Sequence, residues 1–370
     1  MSLSPSELAR YNRHLLLPEI GVPGQEKLKS ARVLIVGAGG LGSPAALYLA
    51  AAGIGTVGIA DGDLVDESNL HRQILFDTAD VGEPKATVAA RRLRALNPEI
   101  RVEAHALRVN AGNILQIARS YDVIVDGSDR LATRYLLNDA CVILRKPLVS
   151  AAIHRFEGQA MTYVPDAGPC YRCLFPDASD DIVPNCAQAG VLGVLPAVLG
   201  SIQATEAIKV IVGIGKSLSG RLLTYDALGM QFNEYSFHRR DDCAVCGKSP
   251  TILAPADAGE DPAALKGLRR FSARELAALS GKCQLIDVRE PREFAAGHLN
   301  LSVNIPLGLL HSKYPGLLLD KMPVFVCRSG ARSLRACAIA ARHGAAEFGH
   351  LDGGLLAWAA DIDSKLTVSA

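Results

Sequence analysis

The sequence lacks an excess of charge of either sign: Lys+Arg number 39 and Asp+Glu 38, a net +1 over 370 residues. Such a balance offers no electrostatic footprint for nucleic acid or for an anionic membrane surface. Long unbroken apolar runs are also missing. The most apolar stretch, Val191 to Gly215, is interrupted by Pro196, Gln203, Glu206 and Lys209, so it is expected as a packed helix rather than a membrane span. The first residues, Met-Ser-Leu-Ser-Pro-Ser-Glu, carry neither the basic patch nor the apolar core of a signal peptide. No internal repeat is visible. These absences point to a soluble cytoplasmic chain with neither nucleic acid nor membrane among its partners. At 49% hydrophobic content and 370 residues there is material for two or three domains with real cores. Nine cysteines in an unsecreted chain point to metal or thiol chemistry rather than a disulfide framework.

The chain is organised around Arg32 to Asp63. Val33 to Val36 is a continuous apolar run that reads as a strand buried on both faces. Gly37, Gly39, Gly40 and Gly42 make a turn, Leu41 to Ala52 is rich in helix formers, and a second apolar run ends on Asp61. Strand, glycine turn, helix, strand and acid together form a nucleotide-binding unit. The glycines let backbone N–H groups and a helix N-terminus approach phosphate, and the acid accepts from a ribose hydroxyl. The pattern alone leaves a dinucleotide and ATP equally open.

Around this unit, Ser4 to His14 reads as a short helix and Leu15 to Gly24 as a loop. Asp63 to Gln73 is a polar segment with too many potential ligands for a simple connector. Pro84 starts a helix running to about Leu96 with Lys85 in its first turn, where a lysine costs several tenths of a kcal/mol against the helix dipole. Either it is solvated, or it faces a phosphate and the sign reverses. Strands are expected at 101–105 and 123–126, the latter running into Asp126-Gly-Ser-Asp129. Helix is expected over 130–146, strands at 149–151 and 156–163, a long helix over about 192–212, and two strands within 222–237. Thr251 to Gly267 reads as a linker rich in Ala, Pro, Asp and Gly. Ser272-Ala-Arg-Glu275 is a capping box that opens a second, smaller α/β domain, with strands at 285–288 and 324–326 and an alanine-rich helix ending near His343.

Cys170-x-x-Cys173 and Cys243-x-x-Cys246 have the spacing at which two knuckles grip one zinc ion tetrahedrally, with no open ligand position, hence a structural site. The bland reading is four unconnected buried thiols. Cys141, Cys283 and Cys337 fall in apolar or helical surroundings and read as core.

Gly37 to Gly42, Asp61-Gly-Asp63, Ser68-Asn-Leu-His-Arg-Gln73, Lys85, Asp129, Asn185-Cys186 and the paired Cys-x-x-Cys motifs together resemble the MoeB/ThiF adenylyltransferases, bacterial relatives of the ubiquitin-activating enzymes. The resemblance spans residues 4 to 250. It implies a Rossmann-like domain with a mixed sheet, MgATP rather than NAD, a homodimer, and a ubiquitin-like sulfur carrier protein with a C-terminal Gly-Gly as partner. On this likeness Arg72 and Lys85 supply cations to the phosphates, Arg13 reaches across the dimer interface, and Asp129 holds Mg²⁺. Asp61 binds the ribose, and Asn69 and Gln73 lie near the phosphates or adenosine. Asp63, Asp66 and Asp126 carry less weight, since each can simply cap a turn. Cys186 occupies a position that forms a covalent bond to the carrier or to sulfur. Arg130 departs from the pattern, where Asn often follows the Mg²⁺ aspartate.

From about Leu268 onward, Asp287-Val-Arg-Glu290, Glu293-Phe-x-x-Gly-His298, Asn304-Ile-Pro306 and Cys327-Arg-Ser-Gly-Ala-Arg332-Ser resemble a rhodanese. Leu301 and Ser302 stand where a Gly-Ala pair often precedes the Asn-Ile-Pro. Cys-x4-Arg makes a cradle tight enough for a sulfur atom. Its amides and the following helix N-terminus favour a thiolate or persulfide on Cys327, against the alternative of an inert buried cysteine.

The expected organisation is an adenylyltransferase domain over residues 1–250, a linker over 251–267 and a rhodanese sulfurtransferase domain over 268–370. The first would adenylate the carrier's terminal glycine. The second would deliver sulfur, drawn from thiosulfate or a cysteine desulfurase, to give a thiocarboxylate. Molybdenum cofactor synthesis, thiamin synthesis, tRNA thiolation or a cysteine or siderophore pathway would all use the same two sites. An NAD-dependent oxidoreductase shares only the glycine turn and leaves Arg72, Lys85, the zinc clamp and Cys327 without a purpose. A degenerate docking module is opposed by the intact cations and by Cys327.

Overall fold

The computed structural model describes residues 2–176, 190–256, 267–279, 281–314, 317 and 321–368. The chain divides into two compact units, Met1–Ala258 and Gly259–Ala370.

The first unit is built on an eight-stranded sheet in the order β3-β2-β1-β4-β5-β6-β7-β8. These strands span Arg32–Val36 (β1), Thr56–Ala60 (β2), Arg101–His105 (β3), Val123–Asp126 (β4), Leu148–His154 (β5), Glu157–Tyr163 (β6), Arg221–Asp226 (β7) and Gln231–Ser236 (β8). β3 to β5 run parallel and β6 to β8 continue antiparallel, so the sheet is mixed. The apolar runs of β1, β2 and β4 are buried on both faces, as parallel strands under helices must be. Along β1, Val33 and Ile35 join the core beneath the helices Gly42–Ala51, Lys85–Leu96 and Leu195–Val212. Leu34 and Val36 join the opposite core with the helices Ile114–Arg119 and Leu131–Leu144. A slip of one residue would exchange the two sets, which fixes the register.

The helix Leu195–Val212 has the length and hydropathy of a membrane span, yet it lies inside this unit against β5 and β6. Its buried Glu206 accepts from Thr162 Oγ1 at 2.8 Å and from the Leu218 amide at 2.6 Å. It is a core helix.

The N-terminal region departs from expectation. The segment expected as one helix over 4–14 is two, Pro5–Arg10 and Asn12–Leu15, broken at Tyr11. Tyr11 is buried, and its hydroxyl accepts from Asn97 Nδ2 at 2.9 Å. The loop expected over 15–24 already contains the start of the helix Gly21–Ser30. Pro23 falls in its first turn, where a missing N–H costs nothing. Gly24 is needed for packing, since a Cβ there would lie 3.0 Å from Ile20 Cγ2 and 3.1 Å from Val212 Cγ1.

The second unit is a five-stranded sheet in the order β11-β10-β12-β13-β9, with every pairing parallel. Its strands are Leu268–Phe271 (β9), Gln284–Asp287 (β10), Val303–Asn304 (β11), Pro323–Val326 (β12) and Phe348–Leu351 (β13). The capping box at Ser272 forms as expected, with Ser272 Oγ accepting from the Glu275 amide. The helices Ala331–Arg342 and Gly354–Asp361 follow β12 and β13.

Candidate functional site

The register of the first sheet brings Val36 of β1 beside Ala60 of β2 and Asp126 of β4. The glycine turn, Asp61 and the loop 126–129 therefore emerge together at the carboxyl ends of neighbouring parallel strands. Strand order reverses between β1 and β4, the place where open α/β sheets bind ligands. The turn tolerates no side chain at two points. Gly37 has φ +92°, and a Cβ on it would lie 2.8 Å from the Gly127 carbonyl, while one on Gly42 would lie 1.8 Å from the Gly37 carbonyl.

Asp61 is held in place by accepting from the Ala38 amide and the Asp63 amide, both at 2.8 Å. Burial pushes its carboxyl above the ordinary range, while the two amides and Lys85 pull the other way. Arg72 and Gln73 flank the turn. A Cβ on Gly40 would begin 3.6 Å from Arg72 Cγ, and one on Gly39 would begin 3.7 Å from Gln73 Nε2. Arg72 donates to Asn69 Oδ1 at 2.6 Å and to the Ser68 carbonyl at 3.2 Å, which fixes its guanidinium. Gln73 is buried and its Oε1 has no hydrogen-bond partner among the described residues, a polar atom that a bound molecule could satisfy.

Lys85 is buried rather than solvated, its side chain 7% exposed, with Nζ 3.7 Å from Asp63 Oδ2. Asp63 in turn accepts from Arg108 Nη2 at 3.0 Å. Asp66 caps the short turn Glu67–Asn69 by accepting from the Ser68 amide. Asp126 is fully buried and accepts from the amide and hydroxyl of Ser128 and the hydroxyl of Ser150. Burial raises its carboxyl despite these donors and Arg134. Asp63, Asp66 and Asp126 thus serve local structure, whereas Asp129 is exposed on the loop after β4. Arg13 lies exposed on the helix Asn12–Leu15. Cys186 and Asn185 lie outside the described residues.

Cys170, Cys173, Cys243 and Cys246 come together as buried thiols, all four sulfurs within 4.8 Å of one another. Individual separations are 3.3 Å for Cys173–Cys246, 3.6 Å for Cys170–Cys243 and 4.0 Å for Cys170–Cys173. Zn–S bonds of about 2.3 Å in a tetrahedron place sulfurs about 3.8 Å apart, so the cluster is compatible with structural zinc. One zinc per chain is expected in gently purified protein. Replacing any one of the four with Ser should lower Tm by roughly 10 °C, equivalent to about 3 kcal/mol in a unit of this size. Metal analysis that finds no zinc would remove the basis for this expectation.

In the second unit Cys327 directly follows β12 and is buried in the turn there. Its sulfur accepts from the Gly330 amide at 3.2 Å and the Ser333 amide at 3.3 Å, at the N-terminus of the helix Ala331–Arg342. Backbone donors converging on one sulfur stabilise negative charge there. Arg332 is tied to Glu293 by two bonds of 2.7 Å, and that pairing holds the Glu293 carboxyl below its ordinary range. A fully buried pair, Arg289 with Asp287 at 2.7 Å, braces the end of β10, and Asn304 Nδ2 donates to the carbonyls of both residues.

Other contributors carry no local signature in the sequence. Gln203, in the middle of the long helix, donates to the Asp126 carbonyl at 2.6 Å and supports the loop bearing Asp129. Pro196 in the first turn of that helix approaches Gly40, with 3.0 Å between its Cβ and a Cβ built there. Arg134 donates to the Ser128 carbonyl at 3.2 Å. Only its spacing, one helical turn beyond Arg130, hints that it faces the crevice.

The ThiF family model matches residues 11–245, and the rhodanese-like domain model matches residues 272–361. A probable adenylyltransferase/sulfurtransferase MoeZ of Mycobacterium tuberculosis is 44% identical over 388 residues, covering 99% of this chain and 96% of its own length. A sulfur carrier protein adenylyltransferase of Thermus thermophilus is 55% identical over 257 residues, 68% of this chain and 95% of its own length. Among solved structures, Escherichia coli MccB with ATP superposes with a TM-score of 0.55 at 28% identity, covering 61% of this chain and 69% of that one. With a nucleotide crevice in one unit and a cradled cysteine in the other, the chain belongs to the ThiF family, carries a rhodanese-like domain, and is an adenylyltransferase and sulfurtransferase.

Proposed function

We propose that the first unit adenylates the C-terminal glycine of a ubiquitin-like sulfur carrier protein and that the second carries sulfur as a Cys327 persulfide. The persulfide displaces AMP from the acyl-adenylate to give an acyl disulfide, from which two electrons of a thiol reductant release the thiocarboxylate and the Cys327 thiol. The observation that carries this reading is the pairing, in one chain, of a glycine turn flanked by Arg72 and the buried Lys85 beside Asp63 with a sulfur cradle at Cys327. The Thermus relative is named for a sulfur carrier protein, and a Haloferax volcanii relative, 51% identical over 249 residues, is named a SAMP-activating enzyme.

When the carrier carboxylate attacks the α-phosphate of ATP, negative charge grows there and on the departing pyrophosphate. Fixed cations at those oxygens lower the barrier because they need no reorganisation as the charge appears. Arg72, braced by Asn69 and the Ser68 carbonyl, and the buried Lys85 are such cations. Asp61 would take the ribose, and Gln73 would use its unpartnered Oε1 on the nucleotide. Asp129, an exposed carboxylate offering only oxygen donors, fits Mg²⁺, which would neutralise charge on the polyphosphate. The segment 251–267 would tether the sulfur cradle to the adenylation site. Cytoplasm suits the reaction, since it holds ATP and keeps the zinc thiols and Cys327 reduced. The sulfur would come from thiosulfate or from a cysteine desulfurase. Molybdenum cofactor or thiamin synthesis would be the pathway served.

We further propose a homodimer that shares its adenylation sites, because Arg13 stands exposed on a helix ahead of the nucleotide fold. Mixing Arg13→Ala with Asp129→Ala protein should restore carrier-dependent ATP–pyrophosphate exchange to roughly a quarter of the wild-type rate, the share of sites with both residues intact. Either variant alone should be nearly inactive. Mixtures that form dimers yet stay inactive would end the shared-site idea.

A further inference from the structure

Behind the Cys327 cradle lies a buried histidine that the reaction as described does not use. His350 is in the middle of β13 and is 2% exposed. Its Nδ1 is 3.4 Å from Ser333 Oγ, while its Nε2 is buried without a partner among the described residues. Ser333, itself fully buried, is shared among several neighbours. Its hydroxyl donates to the Gly330 carbonyl at 3.0 Å and can instead donate to His350, and the Cys327 thiol donates to its oxygen at 3.6 Å. One hydroxyl carries one proton, so its direction decides whether the sulfur faces a donor or an acceptor.

We propose that His350 is a positioning residue for sulfur transfer: its Nδ1–H donates to Ser333 Oγ and turns the Ser333 hydroxyl proton toward the Cys327 sulfur. This inference rests on Cys327 being the sulfur carrier of the second unit. With Nδ1 protonated, Nε2 keeps a lone pair, and a buried bare lone pair is a smaller loss than a buried orphan N–H. The opposite tautomer would leave that N–H orphaned. Nδ1–H then occupies a lone pair of Ser333 Oγ. When sulfur is anionic, as thiolate or persulfide, the hydroxyl proton leaves the Gly330 carbonyl and joins the Gly330 and Ser333 amides as a further donor. Hydrogen bonds to a charged acceptor are the strong kind.

The surroundings keep the imidazole neutral. Burial lowers its basicity, Arg270, its partner on the neighbouring strand β9, acts in the same sense, and Asp352 opposes them. Arg332, in the first turn of the following helix, acts electrostatically on Cys327, and Glu293 already engages its charge.

The test uses the full-length protein. The pH dependence of thiosulfate-to-cyanide sulfur transfer is followed for wild type, His350→Asn, His350→Gln, Ser333→Ala and the Ser333→Ala/His350→Gln double variant, with Cys327→Ala as background. Asn can place an N–H where Nδ1 stands, whereas Gln places its nitrogen near Nε2. His350→Asn should therefore retain the wild-type profile. His350→Gln and Ser333→Ala should each move the acidic limb up by about one pH unit and lower kcat about tenfold. The double variant should be no worse than either single change. If His350→Gln keeps the wild-type profile, if His350→Asn falls with it, or if the two losses multiply, the proposal is wrong. Activity surviving in Cys327→Ala would instead overturn the reading on which it rests. Imidazole ¹⁵N shifts of the unaltered protein give an answer free of any folding defect: Nδ1 protonated and Nε2 bare supports the proposal, and the reverse tautomer refutes it.

Discussion

Cys327→Ala is expected to reduce thiosulfate-to-cyanide sulfur transfer and thiocarboxylate formation to background while leaving carrier-dependent ATP–pyrophosphate exchange near the wild-type rate. The substitution removes the sulfur on which the Gly330 and Ser333 amides converge. It leaves Arg72, Lys85 and Asp129 untouched, because these belong to the other compact unit. Cys327 is 1% exposed, so losing its sulfur leaves only a small internal gap. Bracing by Arg289–Asp287 and Arg332–Glu293 is unaffected, and the unit should remain folded. Normal sulfur transfer in this variant would shift the reactive sulfur to Cys186.

The complementary substitution, Asp129→Ala, should lower ATP–pyrophosphate exchange by about 10²–10³-fold, the range lost when one preorganised electrostatic group is removed from a charged transition state. The thiosulfate assay should not change. Asp129 is exposed, and structural duty in its loop falls to Asp126, which holds Ser128 and Ser150. Stability should therefore stay within about 0.5 kcal/mol of wild type, as for a surface substitution away from buried features. A fall in exchange matched by a fall in Tm would mean that the residue supports the loop rather than the chemistry.

Much of this was legible in the sequence because the signals were local. Val33 to Val36 and Val123 to Asp126 show themselves as strands, since burial on both faces demands an unbroken apolar run. The glycine turn declares itself because backbone–backbone approach at Gly37 and Gly42 excludes every side chain. Paired Cys-x-x-Cys motifs imply a common metal even across a long separation, because each knuckle supplies only half a tetrahedron. The helix Gly21–Ser30 stayed hidden, since Gly21, Pro23 and Gly24 look like breakers until Val212 is seen packing on Gly24. The short strands Leu268–Phe271 and Phe348–Leu351 carry too few residues for a period to show. Tertiary partners were hidden for the same reason. Gln203 under Asp126, Glu293 on Arg332 and His350 behind Ser333 join residues that only the folded chain brings within reach.

The central claim is that one chain performs adenylation and sulfur transfer on the same carrier terminus. Intact-mass measurement of a Gly-Gly carrier incubated with ATP, Mg²⁺, thiosulfate, a thiol reductant and each protein tests it most directly. With wild type, the carrier should gain the mass difference of sulfur for oxygen. With Cys327→Ala it should stop at the acyl-adenylate, and with Asp129→Ala it should remain unchanged. A carrier that gains sulfur with Asp129→Ala, or that never forms an adenylate with wild type, would contradict the account.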